Sequence, residues 1–188
     1  MADSTRRSPV KQQAILAAAA QMVAEQGYAV VTIDAIAARA GVGKQTIYRW
    51  WASKAALFID VYDGLVTIEP PPPGLAPRQL LRGILRQVFA LYAAGPAVAI
   101  LAGLIADAQR ETLARDALKH GLIGGRGPVL LAPLSDARAQ GRLPADFDVD
   151  WASEMVVALI WKRVLSDGVL DDAFGERIIA SVFAGGTP

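Results

Sequence analysis

Apolar residues recur at helical spacing along almost the whole chain. In "VKQQAILAAAAQMVAEQGY", Ile15, Ala18, Ala19, Met22 and Val23 fall on one helical face, and Gly27 is placed to stop the helix. "TIDAIAARAG" opens with Thr32 as an N-cap, turns Ile33, Ile36 and Ala37 inward and stops at Gly41. "GKQTIYRW" predicts a third, very short helix. "SKAALFIDVYDGLVTI" predicts a fourth, opened by Ser53, with Leu57, Ile59, Val61 and Leu65 among its apolar residues. Only "YAVVTI" is a candidate strand, and it is short and lies between helices. The pattern predicts an all-α protein.

"EPPPPGLAP", from Glu69 to Pro77, breaks the pattern, because each proline lacks an N–H and clashes with the preceding turn. It reads as a stiff linker between two helical units. A polyproline ligand is the other reading, and no basic residue flanks the run to orient such docking. Beyond it, Arg78–Ala94 and Ala97–Gln109 read as helices. Residues 111–140 are helical in pattern at both ends, but "HGLIGGRGP" interrupts them, so Gly121–Pro128 is either a kinked helix or a loop. Asp150–Ser166 and Asp171–Ala184 are the last two helices. The final one is expected to expose Ile178, Ile179, Val182 and Phe183, a face too apolar for water.

Composition narrows the chemistry. The 188 residues are 53% hydrophobic and 20% charged, enough for a packed core. The absence of cysteine excludes disulfides, thiolate catalysis and Cys-ligated zinc, and suits a cytoplasmic location. The polar start "MADSTRRSPVKQQ" has no apolar segment of the signal-peptide kind, and no apolar run reaches the roughly 18–20 residues that span a bilayer, so no membrane partner is expected. Net charge is only +1, but residues 1–54 carry seven Lys/Arg against three Asp/Glu, whereas residues 55–188 carry twelve against fifteen. The basic end suits a polyanion.

The two short middle helices supply the site. They are joined by "AGV", where Gly41 can turn the chain sharply, Ala37 is small enough for a close crossing, and Val42 and Ile47 point back into the pair. This is a helix-turn-helix pattern. Gln45, Tyr48 and Arg49 share one face of the second helix. An amide, a phenol and a guanidinium together suit the major groove of double-stranded DNA. Lys44 and Lys54 flank them at phosphate reach. Trp50 and Trp51, being helical neighbours, should diverge by about 100°. That places Trp51 in the core and Trp50 at the edge facing the DNA backbone, in preference to both being buried.

"TIDAIAARAGVGKQTIYRWWASKAAL" closely resembles the DNA-binding signature of the TetR family of transcriptional regulators. The match covers roughly residues 10–60, about a quarter of the chain. The resemblance implies an N-terminal three-helix DNA-binding domain at 1–54, a helical regulatory and dimerisation domain at 55–188, a homodimer and ligand-controlled repression. By position, Thr32, Gly43, Lys44, Gln45, Tyr48, Trp50 and Lys54 fall where family members touch DNA, and Arg49 lies among them. Gly43 stands where Ser or Thr usually caps the recognition helix, Trp50 where His or a small aromatic is common, and Trp51 where Phe is usual. "DARAQGRLPADFDVDWASEMV" resembles a stretch before the penultimate helix in one TetR subgroup. The last two helices would then form the dimer, with Trp151, Met155, Leu159, Ile178, Val182 and Phe183 as interface candidates.

Other sites are not expected. Asp146, Asp148 and Asp150 alternate as calcium ligands do, but Trp151 and Val157 stand where such a loop needs Gly and Glu, so N-capping is the reading taken. His120, the only histidine, has no nucleophile elbow near it. No metal, cofactor or catalytic residue is predicted, and the chain is read as a regulator rather than an enzyme. The alternative is a small all-helical enzyme or binding protein whose helix-turn-helix is structural. The effector is expected to be an apolar or aromatic small molecule, bound among residues 80–130 and 150–165, which are rich in Leu, Ile, Val, Ala and Gly.

Overall fold

The computed structural model describes residues 8–69, 71–72, 74–123 and 127–184, and side chains throughout these except at 122–130. The described residues are helical, with ten α-helices and no strand. "YAVVTI" contributes a turn and the approach to a helix. No single helix among the described residues is long and apolar enough to cross a membrane. The chain divides into two compact units, residues 1–66 with 95–124, and residues 67–94 with 125–188. This division does not coincide with 54/55: the helix that starts at Lys54 and three later helical segments group with the N-terminal helices.

The first unit holds α1 (Pro9–Gln26), α2 (Ile33–Arg39), α3 (Lys44–Trp50), α4 (Lys54–Leu65), α6 (Ala97–Ala108) and α7 (Thr112–Ala117). A π-helical turn, Leu118–Ile123, continues α7. α1 buries the predicted face of Ile15, Ala18, Ala19, Met22 and Val23, and Gly27 ends it at φ 82, a conformation that favours glycine. α4 packs on α1 and α6, with Leu57, Phe58 and Tyr62 almost wholly buried. In the π-helical turn, a Cβ at Gly121 would press on Ile59 of α4. The interruption at "HGLIGGRGP" thus begins as a π-helical distortion, and residues 124–126 lie outside the described residues.

The second unit holds α5 (Pro77–Ala94), α8 (Gly127–Ala139), α9 (Val149–Leu165) and α10 (Asp172–Ala184). The proline run precedes α5 and belongs to no helix among its described residues. Asp148 caps α9 by accepting the Trp151 N–H at 2.9 Å, the capping role expected of the "DFDVD" acids. α5 and α10 pack together, with Phe89 stacked on Phe174 at 6.0 Å between centroids. Two parallel ion pairs border that contact. The Arg86 guanidinium donates to both Asp172 oxygens at 3.0 and 2.9 Å, and Arg82 pairs in the same way with Glu176.

Ile178, Ile179 and Val182 are not exposed but buried within the subunit, because α10 turns that face onto α5 and α9. Phe183 is half-buried and stacked on Phe147 at 5.8 Å. The open apolar positions are instead on α9. Trp151 is 61% exposed, and Met155 and Leu159 follow it along one helical face, each half-buried.

Candidate nucleic-acid interface

α2 starts where predicted: the Thr32 hydroxyl accepts the Ala35 N–H at 3.2 Å. It ends in a tight turn, with Gly41 at φ 64 and the Val42 N–H donating to the Ala37 carbonyl at 3.0 Å. A β-carbon would strain that left-handed backbone, which is why glycine belongs here. Gly43 then caps α3 with φ −73 and ψ 141, a conformation open to any residue, and nothing lies near its missing side chain. Its carbonyl accepts the Thr46 N–H at 2.8 Å. No side-chain oxygen caps α3, at a cost of a few tenths of a kcal/mol relative to serine.

α3 buries Ile47 and Trp50 and exposes Lys44, Gln45, Tyr48 and Arg49. The amide, phenol and guanidinium thus stand on one outward strip, with Tyr48 half exposed. Lys44 forms an exposed ion pair with Asp34 at 3.1 Å, and that carboxylate raises its pKa. The Arg49 guanidinium lies 5.9 Å from the Trp50 ring. Thr32 and Gly43 are exposed at the starts of the two helices.

Two placements differ from expectation. Both tryptophans are buried, Trp50 as well as Trp51. The divergence of about 100° between helical neighbours does not apply, because Trp51 has already left the helix with φ −132 and ψ 122. Both rings can then turn inward, meeting edge to face at 5.8 Å, and the Trp51 Nε1–H donates to Asp60 at 2.8 Å. Lys54 is the second. It does not stand beside α3 as an open cation: its ammonium donates to the Tyr28 carbonyl at 2.9 Å and lies 4.2 Å from the Tyr28 ring centroid. Burial lowers its pKa, against the pull of Asp107 and Glu111. The Tyr28 hydroxyl donates to Asp107 at 2.8 Å, and burial, followed by this bond, pushes its pKa up. Sequence reasoning missed Tyr28 and Asp107. The signals were an aromatic directly after the Gly27 stop and a single acid at the end of the apolar run "VAILAGLIA".

Elsewhere, His120 is exposed and places Nδ1 2.9 Å from the Asp116 carbonyl. Among the described residues no cluster of three or more His, Cys, Asp or Glu is placed to hold a metal. Arg6 and Arg7, two of the cations of the basic end, lie outside the described residues.

Residues 15–61 match the family model "Bacterial regulatory proteins, tetR family", and residues 71–182 match "Tetracyclin repressor-like, C-terminal domain". The chain is 29% identical over 181 residues to the DNA-binding transcriptional repressor TetR of Mycobacteroides abscessus, covering 94% of this chain and 93% of that one. Among solved structures, it is similar to the TetR family transcription regulator SCO0332, with a TM-score of 0.79, 26% identity, and coverage of 96% of this chain and 100% of the other. It is also similar to the flavonoid-responsive regulator FrrA, with a TM-score of 0.60, 25% identity and coverage of 95% of each chain.

Proposed function

The chain belongs to the tetR family of bacterial regulatory proteins and is a DNA-binding transcriptional regulator, and from that premise we propose that it is a ligand-responsive repressor gripping a palindromic operator as a homodimer. The observation that carries this reading is the outward strip of α3. Gln45, Tyr48 and Arg49 are exposed together on a helix whose apolar residues are already buried. Gln45 lies in the first turn and can pair two-pronged with adenine; Arg49, one turn on, can pair likewise with guanine. Thr32, Gly43, Lys44 and Tyr48 hold the phosphates. Residues 1–54 read DNA, and residues 55–188 dimerise and receive the effector.

The second copy docks on α9, through Trp151, Met155 and Leu159. A 61% exposed tryptophan with apolar neighbours on its face is the anchor such an interface needs. Two recognition helices related by a two-fold axis then meet two half-sites about 34–36 Å apart. The effector is an apolar or aromatic small molecule, as the many Leu, Ile, Val and Ala residues of 80–130 and 150–165 suggest, and one regulator of similar fold is named as flavonoid-responsive. Such a protein acts in the cytoplasm, where the DNA is.

Selection of duplexes from a random pool, followed by affinity measurement against salt, tests the reading. A palindromic consensus and a steep loss of affinity with salt are expected. A small helical enzyme or binding protein with a structural helix-turn-helix would enrich no sequence. Addition of planar aromatic and long-chain apolar compounds should release the duplex for at least one of them.

A further inference from the structure

Residues 8–54 contain five Lys/Arg and two acids, Glu25 and Asp34. Glu25 pairs with Arg39 of α2 at 2.7 Å. Asp34 lies in the first turn of α2, two residues after the Thr32 cap, and its carboxylate reaches the first residue of α3. The Lys44 ammonium lies 3.1 Å from one of its oxygens and 3.3 Å from the other. Both side chains are more than half exposed. A carboxylate therefore stands among Thr32, Gly43 and Lys44, groups assigned above to phosphates.

A negative charge favours the positive end of α2, so the acid has a local use. That use does not require it to hold Lys44, and on a surface that docks on a polyanion the same charge is a liability. An ammonium bound to Asp34 is already neutralised. What Lys44 gains from a phosphate is reduced by what it loses from the carboxylate. We propose that Asp34 is a brake on DNA binding: it holds Lys44 in the free protein, and DNA of any sequence must win Lys44 from it. The brake rests on the DNA-binding function proposed above. It acts on a phosphate contact, so it lowers the affinity for operator and random duplexes alike. Base reading by Gln45 and Arg49 is untouched, and a weaker general grip leaves the protein less held by competing DNA. The exchange also bears on salt. Taking Lys44 from Asp34 leaves an unpaired carboxylate, which offsets the counterion release that the phosphate contact brings.

The test uses the full-length protein, the duplex that the wild type selects from a random pool, and a random duplex of equal length. Active fractions are fixed by stoichiometric titration, and affinities are measured across a salt series well below the melting temperature. Asp34→Asn should tighten binding to both duplexes roughly two- to five-fold for each docked subunit, the scale of an exposed ion pair. It should also steepen the salt dependence by up to about one for each subunit. In a Lys44→Met background the gain from Asp34→Asn should be much smaller, because no ammonium is left to release. Three results would each overturn the brake. Weaker binding by Asp34→Asn would make the carboxylate a support that orients Lys44. Unchanged affinity would make it a charge for the α2 dipole alone. An equal gain with and without Lys44 would make it a direct repulsion of phosphate in which Lys44 has no part. If Asp34→Asn melts below the measuring temperature, Asp34→Ser, which removes the same charge, replaces it. A wild type that selects no duplex sinks the proposed function, and the brake with it; a wild type that selects one, beside an Asp34→Asn variant of equal affinity, sinks the brake alone.

Discussion

α3 and α10 each carry residues whose pattern in the sequence points to a partner outside the subunit, yet they meet different fates. On α3, Gln45, Tyr48 and Arg49 stay exposed, while Ile47 and Trp50 hold the helix down. On α10, Phe174, Ile178, Ile179 and Val182 are all covered within the subunit. The reason lies in the forces. Hydrophobic burial is non-directional, so any neighbouring apolar surface satisfies an apolar face. A row of amide, phenol and guanidinium is satisfied by water until a ligand of matching geometry arrives. A polar strip on a small helix is therefore the more specific sign of an external partner, and an apolar face the less specific one.

The largest effect that bears on this contrast is on stability. Ile178→Ala should lower the unfolding free energy by about 2–5 kcal/mol, as cavities in packed cores do, measured by urea unfolding at fixed protein concentration. Unchanged stability with dissociation into monomers would put α10 back at the subunit interface. Next, Trp151→Ala should weaken dimerisation by at least about 2 kcal/mol, the scale of an aromatic anchor. Sedimentation across a dilution series reads it, and the contrast breaks if the variant dimerises as well as the wild type. Then Gln45→Ala and Arg49→Ala should each remove roughly 1–3 kcal/mol of discrimination between selected and random duplexes. Their unfolding free energies should stay within about 0.5 kcal/mol of wild type. A loss of stability as large as that of Ile178→Ala would show that α3 faces inward after all.

The smallest effect concerns pH. Hydrogen bonds from Arg86 and Arg82 hold Asp172 and Glu176 below their ordinary carboxylate range. The folded state then binds fewer protons than the unfolded chain, so these pairs contribute stability above the unfolded pKa values of about 4 and lose it as pH falls through the lowered ones. Both pairs are exposed, so Arg82→Gln with Arg86→Gln should cut only a small part of the acid loss of stability. An acid transition of unchanged shape in the double variant would argue that the two pairs add nothing.

Much of the fold is legible in the sequence because its signals are local. The Thr32, Ser53 and Asp148 caps and the Gly27 and Gly41 stops each act within a turn of their own position, and all lie where the pattern puts them. The recognition strip is legible for the same reason, since helical spacing alone brings 45, 48 and 49 to one face. The burial of Trp50 is not legible, because its neighbour Trp51 leaves the helix, which no spacing rule foresees. The bond from Lys54 to the Tyr28 carbonyl is not legible in the sequence, because Tyr28 is distant along the chain.

By itself, then, the sequence determined an all-helical chain, the limits of most of its helices, the helix-turn-helix and the polar strip of α3. Each depends on propensity, capping and periodicity, which act over a few residues. Tertiary structure alone decided that α6 and α7 pack with the N-terminal helices, that the apolar face of α10 is covered within the subunit, and that Trp151 is left open on α9. It alone seated Tyr28 between Gly103, Asp107 and Lys54. These outcomes depend on which surfaces meet across long stretches of chain. Apolar surfaces carry little information about their partners, so only the packed molecule selects among them.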